Sequence, residues 1–120
     1  MAVRYHPNGL RVIDQELIDE VVRTIVERFH PRRIVLFGSQ ARGDAGPDSD
    51  LDLMIEMETA LRPIARAIAV GRLFLDREWP LDVVVYTPAE IAERTGVVGT
   101  LVSMIETDGR VVHDESRIPV

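Results

Sequence analysis

The spacing of apolar and polar positions changes several times along the chain, and each change marks a predicted element. Apolar residues at spacings of three and four follow Asp14, a suitable helix N-cap, and Pro31 ends this first helix. A short apolar run at 34–37, rich in β-branched residues, predicts a buried strand. Strict alternation over 50–57 then predicts a second strand with one apolar face.

The second half of the chain predicts three more helices and two more strands. The helix at 62–77 has Pro63 in its first turn, and its buried side is expected to comprise Ile64, Ala67, Ile68, Leu73 and Phe74. After it come a strand at 81–86, a short helix ending near Arg94 and capped by Thr87 and Glu90, an apolar helix at 98–106 and a last strand at 110–113.

This order of elements predicts an α/β (α+β) fold with a mixed four-stranded sheet covered by helices. The short connection between the first two strands allows them to lie antiparallel, whereas the strand-helix-strand crossover makes the second and third parallel. Asp82, near the start of the third strand, then arrives at the edge where the first strand ends and Asp50 begins the second.

Composition and charge limit the expected domain organisation, localisation and partners of the protein. With 120 residues, 46% of them hydrophobic, we expect a single domain, 1–120, with an N-terminal arm (1–12) and a frayed C-terminal tail (114–120). No long apolar segment or signal-like N-terminus is present, so we expect a cytoplasmic protein with no membrane partner. The absence of cysteine excludes disulfides and thiolate chemistry, and the net charge of -6 makes nucleic acid an unexpected partner.

Candidate chemistry is concentrated between the first two strands. Gly38-Ser39 at the end of the first strand permits a tight turn with exposed N–H groups, which suits an anion. Asp50 and Asp52 alternate with apolar residues, so both carboxylates project from one face and can share a hard cation. Oxygen ligands favour Mg²⁺ or Mn²⁺, which bind carboxylates together with substrate phosphates. A phosphate-binding turn beside such a pair implies a nucleotide.

Each of these residues also has a simpler interpretation. An Asp-x-Asp pair alone is usually a solvated strand face, and Asp82 alone could simply begin a strand. For Arg42, a salt bridge and a phosphate contact are equally favoured. Surface roles are expected for His6, His30, His113, Glu56 and Glu58.

The spacing of these motifs resembles a known family. Gly38-Ser39, ten intervening residues, Asp50-Leu51-Asp52 and a later carboxylate, Asp82, match the pattern of the nucleotidyltransferase superfamily with the DNA polymerase beta fold, in its smallest form, the minimal nucleotidyltransferases. The resemblance extends from about the first helix to His113. It implies the nucleotidyltransferase fold and Mg²⁺-dependent transfer of AMP from ATP to a hydroxyl, with release of pyrophosphate.

The resemblance also implies roles and a partner. Asp50, Asp52 and Asp82 match the catalytic metal ligands, and Asp82 also matches the group that accepts the proton of the attacking hydroxyl. The nucleotide-binding positions are Gly38, Ser39, Arg42 and Ser49. Similar proteins act as antitoxins that transfer AMP to a tyrosine of a HEPN-domain toxin, so we expect an ATP-dependent protein adenylyltransferase.

Two other functions remain as alternatives. A non-catalytic binding partner would neutralise a toxin by complex formation, but pure binding requires no set of three carboxylates. A small-molecule nucleotidyltransferase resembling the aminoglycoside-modifying enzymes would require an acceptor-binding domain that the sequence does not show. The oligomeric state is open, and a homo-oligomer is among the alternatives.

Overall fold

The computed structural model describes residues 3–117 and shows a four-stranded sheet with helices on both faces. The helices are α1 (Gln15–Phe29), α2 (Ser39–Arg42), α3 (Pro63–Gly71), α4 (Pro88–Arg94) and α5 (Leu101–Asp108). The strands are β1 (Arg33–Phe37), β2 (Leu51–Glu56), β3 (Leu81–Tyr86) and β4 (Arg110–Asp114), and 3-10 turns follow at Arg72–Phe74 and Glu115–Arg117. Among residues 3–117, every helix is too short or too polar to cross a membrane.

The strand order is β3-β2-β1-β4, and the predicted mixture of directions is confirmed. β1 pairs antiparallel with both β2 and β4, whereas β2 pairs parallel with β3. In this register Phe37 lies opposite Asp52, and Asp52 lies opposite Asp82. The end of β1 and the starts of β2 and β3 therefore form one edge of the sheet.

The two faces of the sheet bury separate apolar cores, because successive strand residues point to opposite sides. On one face, α1 and the segment from α3 to Phe74 cover Leu51, Leu53 and Ile55. On the other face, α4 and α5 cover Val35, Phe37 and Met54 with Ile91, Val102 and Ile105. The expectation that helices cover the sheet is confirmed.

Local signals placed the starts of α1 and α4 correctly. The carboxylate of Asp14 accepts a hydrogen bond from the Leu17 N–H at 3.0 Å and caps α1. At α4, Thr87 and Glu90 exchange hydrogen bonds in the predicted capping box.

Several boundaries differ from those predicted. Residues 39–42, expected as loop, form the single turn α2, because the Ala41 and Arg42 N–H groups both donate to the Gly38 carbonyl. The helix predicted at 62–77 is α3 followed by a 3-10 turn, and α5 begins at Leu101, where Thr100 provides the cap.

The predicted buried side of α3 is partly wrong. Phe74 is buried, but Ile64 and Ile68 are 75% and 51% exposed. The core-facing positions are held by Val70 and Arg66, whose guanidinium donates to the Leu61 and Val85 carbonyls and to Glu90. The apolar pattern predicted that Ile64 and Ile68 face the core. In the structure Arg66, with its hydrogen bonds satisfied, faces the core instead.

The expectation that Glu56 is solvated is also wrong, whereas Glu58 is exposed as predicted. Glu56 lies opposite Arg33 in the sheet and accepts a hydrogen bond from its Nε at 2.9 Å. Arg33 in turn pairs with Glu106 of α5. Because Arg33 and Glu56 carry opposite charges on neighbouring strands, Glu56 can be buried as one member of the ion-pair chain Glu56–Arg33–Glu106.

Both ends of the chain are more ordered than expected within the described range. Residues 4–12 form a hairpin, here called the N-terminal hairpin, with a bridge between Tyr5 and Arg11 and a turn at Pro7-Asn8-Gly9. Asp114 belongs to β4, so part of the predicted tail is strand. Residues 115–117 of that tail form a 3-10 turn, whereas residues 118–120 and residues 1–2 of the predicted arm lie outside the described residues.

Candidate functional site

The edge where β1 ends brings three aspartates together. Asp52 and Asp82 are direct neighbours in the parallel pair of β2 and β3, and Asp50 immediately precedes β2. One carboxylate oxygen from each residue lies within 4.8 Å of the other two. The main chain fixes the two strands here, because the Leu51 N–H donates to the Pro80 carbonyl at 2.9 Å. Residues distant in sequence thus converge as the predicted topology required.

Asp52 is the most perturbed of the three carboxyl groups. Its pKa is raised to about 6, first by its partial burial and then by repulsion from Asp82 and Asp50, whereas Arg42 lowers it. Asp50 and Asp82 are exposed, so their charges are better solvated. The site therefore gathers negative charge that a cation would neutralise.

Gly38 lies against Asp52 and has no room for a side chain. Its φ is 72°, a left-handed conformation that favours glycine, and an added Cβ would overlap the Asp52 carboxylate. Ser39 begins the single-turn helix α2 directly after it. Because the first N–H groups of a helical turn have no acceptor within it, those of Ser39 and Gln40 are available to an anion beside the aspartates.

Arg42 and Ser49, the other two predicted nucleotide contacts, form hydrogen bonds with residues of the loop between α2 and β2. The Arg42 Nε donates to the Asp44 carboxylate at 3.2 Å, and both side chains are more than half exposed. The Ser49 Oγ accepts a hydrogen bond from the Gly46 N–H at 2.8 Å. Arg42 is close enough to lower the pKa of Asp52, whereas contact of either residue with a nucleotide stays a prediction.

The three aspartates fit a divalent cation. All donors are oxygens, they are close enough to share one ion, and their mutual repulsion is one cause of the raised pKa of Asp52. Among residues 3–117, this is the single cluster of three such ligands, and no histidine belongs to it. His30 is exposed at the end of α1, while His6 and His113 are partly buried elsewhere.

The sequence did not indicate the role of the N-terminal hairpin near this edge. Asn8 Nδ2 donates to the Asp48 carboxylate at 2.9 Å and to the Pro47 carbonyl at 3.3 Å, two residues before Asp50. A cavity of about 290 Å³ lies between the hairpin and the 43–49 loop, and none of the three aspartates lines it. The Asn-Gly pair signalled a turn, but nothing in its pattern identified a distant loop as its contact.

Comparison with known proteins agrees with this geometry. A sequence profile of the family described as nucleotidyltransferase domain matches residues 18–113, the span from α1 to β4. A comparison with curated protein sequences finds no match.

Solved structures show the same fold at low sequence identity. A protein of Sulfolobus solfataricus assigned as a nucleotidyltransferase is 21% identical, with a TM-score of 0.60 over 88% of this chain and 84% of that one. A toxin-antitoxin structure with AMP-PNP is 22% identical, with a TM-score of 0.56 over 80% of this chain and 72% of that one. A mutant of the toxin-antitoxin MntA-HpeT is 23% identical, with a TM-score of 0.51 over 86% of this chain and 74% of that one.

Proposed function

The chain belongs to the nucleotidyltransferase domain family, and from this premise we propose that it transfers AMP from ATP to a protein hydroxyl with the help of Mg²⁺ or Mn²⁺. The observation that carries the proposal is the convergence of Asp50, Asp52 and Asp82 within 4.8 Å, beside the Gly38-Ser39 turn. Repelling carboxylates next to an anion-binding turn suit a metal-bound polyphosphate and have no evident value for the fold alone.

Each residue of the site has a proposed task. The N–H groups after Gly38 bind phosphate oxygens of the nucleotide, and the three carboxylates hold the cation. When bound, the cation would neutralise charge on the phosphates as the leaving group departs. Asp82, which is exposed at the edge, accepts the proton of the acceptor hydroxyl. The hydroxyl oxygen bonds to the α-phosphorus, the bond from that phosphorus to the bridging oxygen breaks, and pyrophosphate leaves.

For the acceptor, we propose a tyrosine of a helical toxin of the HEPN class, so that the protein acts as its antitoxin. Two proteins of the same fold are described as toxin-antitoxin structures, and one of these was solved with AMP-PNP. The exposed position of Asp82 at an open edge allows a residue of another protein to reach it. A binding-only antitoxin is the second candidate, and the acceptor experiment below separates the two.

Nucleotide binding is expected to depend on the metal, because three negative groups would repel the phosphates of free ATP. Isothermal titration calorimetry with ATP should show strong binding with Mg²⁺ and weak binding in EDTA. Equal affinity under both conditions would remove the metal from the proposal.

The acceptor is tested by mixing this protein with a candidate helical toxin, ATP and Mg²⁺. Mass spectrometry should show the toxin gaining AMP, and its ribonuclease activity should fall. Asp82→Asn should reduce the transfer at least about a hundredfold, since general-base groups contribute on that scale, while the two proteins still bind. Full suppression of the toxin by Asp82→Asn, without added AMP, would favour the binding-only antitoxin.

A further inference from the structure

The outward side of α3 and the residues just before and after it carry an apolar stripe, defined here as Leu61, which precedes the helix, Ile64 and Ile68 on the helix, and Leu75, which follows the 3-10 turn. These side chains are 48%, 75%, 51% and 76% exposed. The backbone dihedrals stay helical through the 3-10 turn to Leu75, so at about 100° per residue in α3 and about 120° in the 3-10 turn the last three lie within roughly a quarter of a turn. The helix thus buries one apolar side in the core and presents a second one to solvent.

Such a stripe differs from ordinary surface exposure. Single exposed apolar residues are common, but four large aliphatic side chains along one helix mark a surface that another molecule covers. The stripe also lies outside the candidate site, because none of its members belongs to the edge that carries the three aspartates.

The spacing of three members of the stripe is self-complementary. Leu61 and Leu75 each lie seven residues from Ile68. We propose that the stripe is a homodimer interface in which α3 packs antiparallel against α3 of a second copy, with the two-fold axis at Ile68. That axis brings Leu61 of one copy to the partner's Leu75 and places the two Ile68 side chains together, as an isologous contact requires.

The charges beside the stripe select the antiparallel arrangement. Arg62 and Asp76 are both exposed, and neither forms an ion pair within residues 3–117. At about 1.5 Å per residue in α3 and about 2 Å in the 3-10 turn, the antiparallel dimer places Arg62 about 5 Å along the axis from the partner's Asp76. A parallel dimer would instead oppose like charges, which is unfavourable. Charge and apolar spacing thus agree on one orientation.

Sedimentation equilibrium across the micromolar range tests whether the purified chain is a dimer. Ile68→Glu should convert it to a monomer, because two carboxylates would meet at the two-fold axis. Val98→Glu is the matched control: Val98 is 95% exposed and lies outside the stripe, so this variant should stay dimeric. A monomeric parent at every concentration would overturn the proposal and leave the stripe to a different protein.

Charge reversal tests the orientation itself. Arg62→Asp and Asp76→Arg should each raise the dimer dissociation constant about tenfold, since two symmetry-related pairs become repulsive. The double variant restores opposite charges and should recover the affinity of the parent. Additive weakening in the double variant would contradict the antiparallel pairing. All these positions are exposed, so circular dichroism should show intact folding throughout.

The absence of natural cysteines permits a direct check of the axis. Under mild oxidation, Ile68→Cys should form a covalent dimer, because the two copies of this position face each other. Val98→Cys should stay monomeric on a non-reducing gel. Equal cross-linking of the two variants would overturn the placement of the axis.

Discussion

The carboxyl group of Asp52 links the chemistry of the site to the stability of the protein. Its pKa is raised from 3.8 to about 6, so between these values the folded state holds a proton that the unfolded state releases. The free energy of unfolding therefore falls as pH rises through this window, and above it the cost of holding a charged Asp52, first from its partial burial and then from repulsion by Asp82 and Asp50, is fully present. A bound cation would relieve this cost.

Asp52→Asn should consequently raise the melting temperature at a pH above about 7 and lose this advantage as the pH approaches about 4. The same variant should abolish AMP transfer, since it removes a proposed metal ligand. Thermal melting followed by circular dichroism over this pH range measures the difference. A gain in melting temperature of equal size at about pH 4 and above about pH 7 would mean that the charge of Asp52 does not cause the gain.

Gly38 offers a second test at the scale of one residue. Gly38→Ala meets both a left-handed φ and the carboxylate of Asp52, whereas Gly43→Ala meets a φ of 84° with open space around it. The backbone cost alone is about 1–2 kcal/mol. Chemical denaturation should therefore show a larger loss for Gly38→Ala, together with loss of nucleotide binding. Equal losses in the two variants would show that the Asp52 carboxylate moves aside without cost.

At the scale of elements, the ion pair between β1 and β2 should matter more than exposed pairs. Arg33→Met leaves the buried Glu56 with only Arg32, whose Nε lies 3.7 Å from it. Breaking a buried pair costs up to about 3–5 kcal/mol, and we expect about 2–3 kcal/mol here because Arg32 remains. Arg42→Met, which breaks the exposed pair with Asp44, is the control and should cost under about 1 kcal/mol. Urea unfolding should separate the two.

The elements also show what the sequence can and cannot predict. The strands, the caps at Asp14 and Thr87, and the meeting of Asp52 with Asp82 follow from periodicity and local chemistry. Burial of Arg66 and Glu56 does not, because each depends on partners in other elements, Glu90 and Arg33. Periodicity predicts that a helix face is apolar, but it does not predict whether that face packs in the core or is exposed. In α3 one apolar face packs in the core and the other is exposed.

At the scale of the whole molecule, the start of the chain connects two loops that lead to the aspartates. Asn8 holds the loop before Asp50, and the Arg11 N–H donates to the Glu78 carbonyl at 2.7 Å, close to the start of β3. The N-terminal hairpin precedes the residues that match the family profile, which begins at residue 18. Because each loop leads into a strand that bears a carboxylate, the hairpin is expected to limit their relative motion.

Asn8→Ala removes the hydrogen bonds to Asp48 and Pro47 and should loosen the loop before Asp50. Amides at 44–51 should then exchange hydrogen faster, as measured by mass spectrometry, while those of α5 keep their rates because the hairpin does not hold that helix. Affinity for Mn²⁺ should fall about tenfold, since residues that orient metal ligands contribute on this scale. Gln15→Ala, which removes exposed hydrogen bonds with Asp19 and Arg110 far from this loop, should leave both measurements unchanged. If exchange at 44–51 stays at the rate of the parent, the hairpin does not restrain the loop.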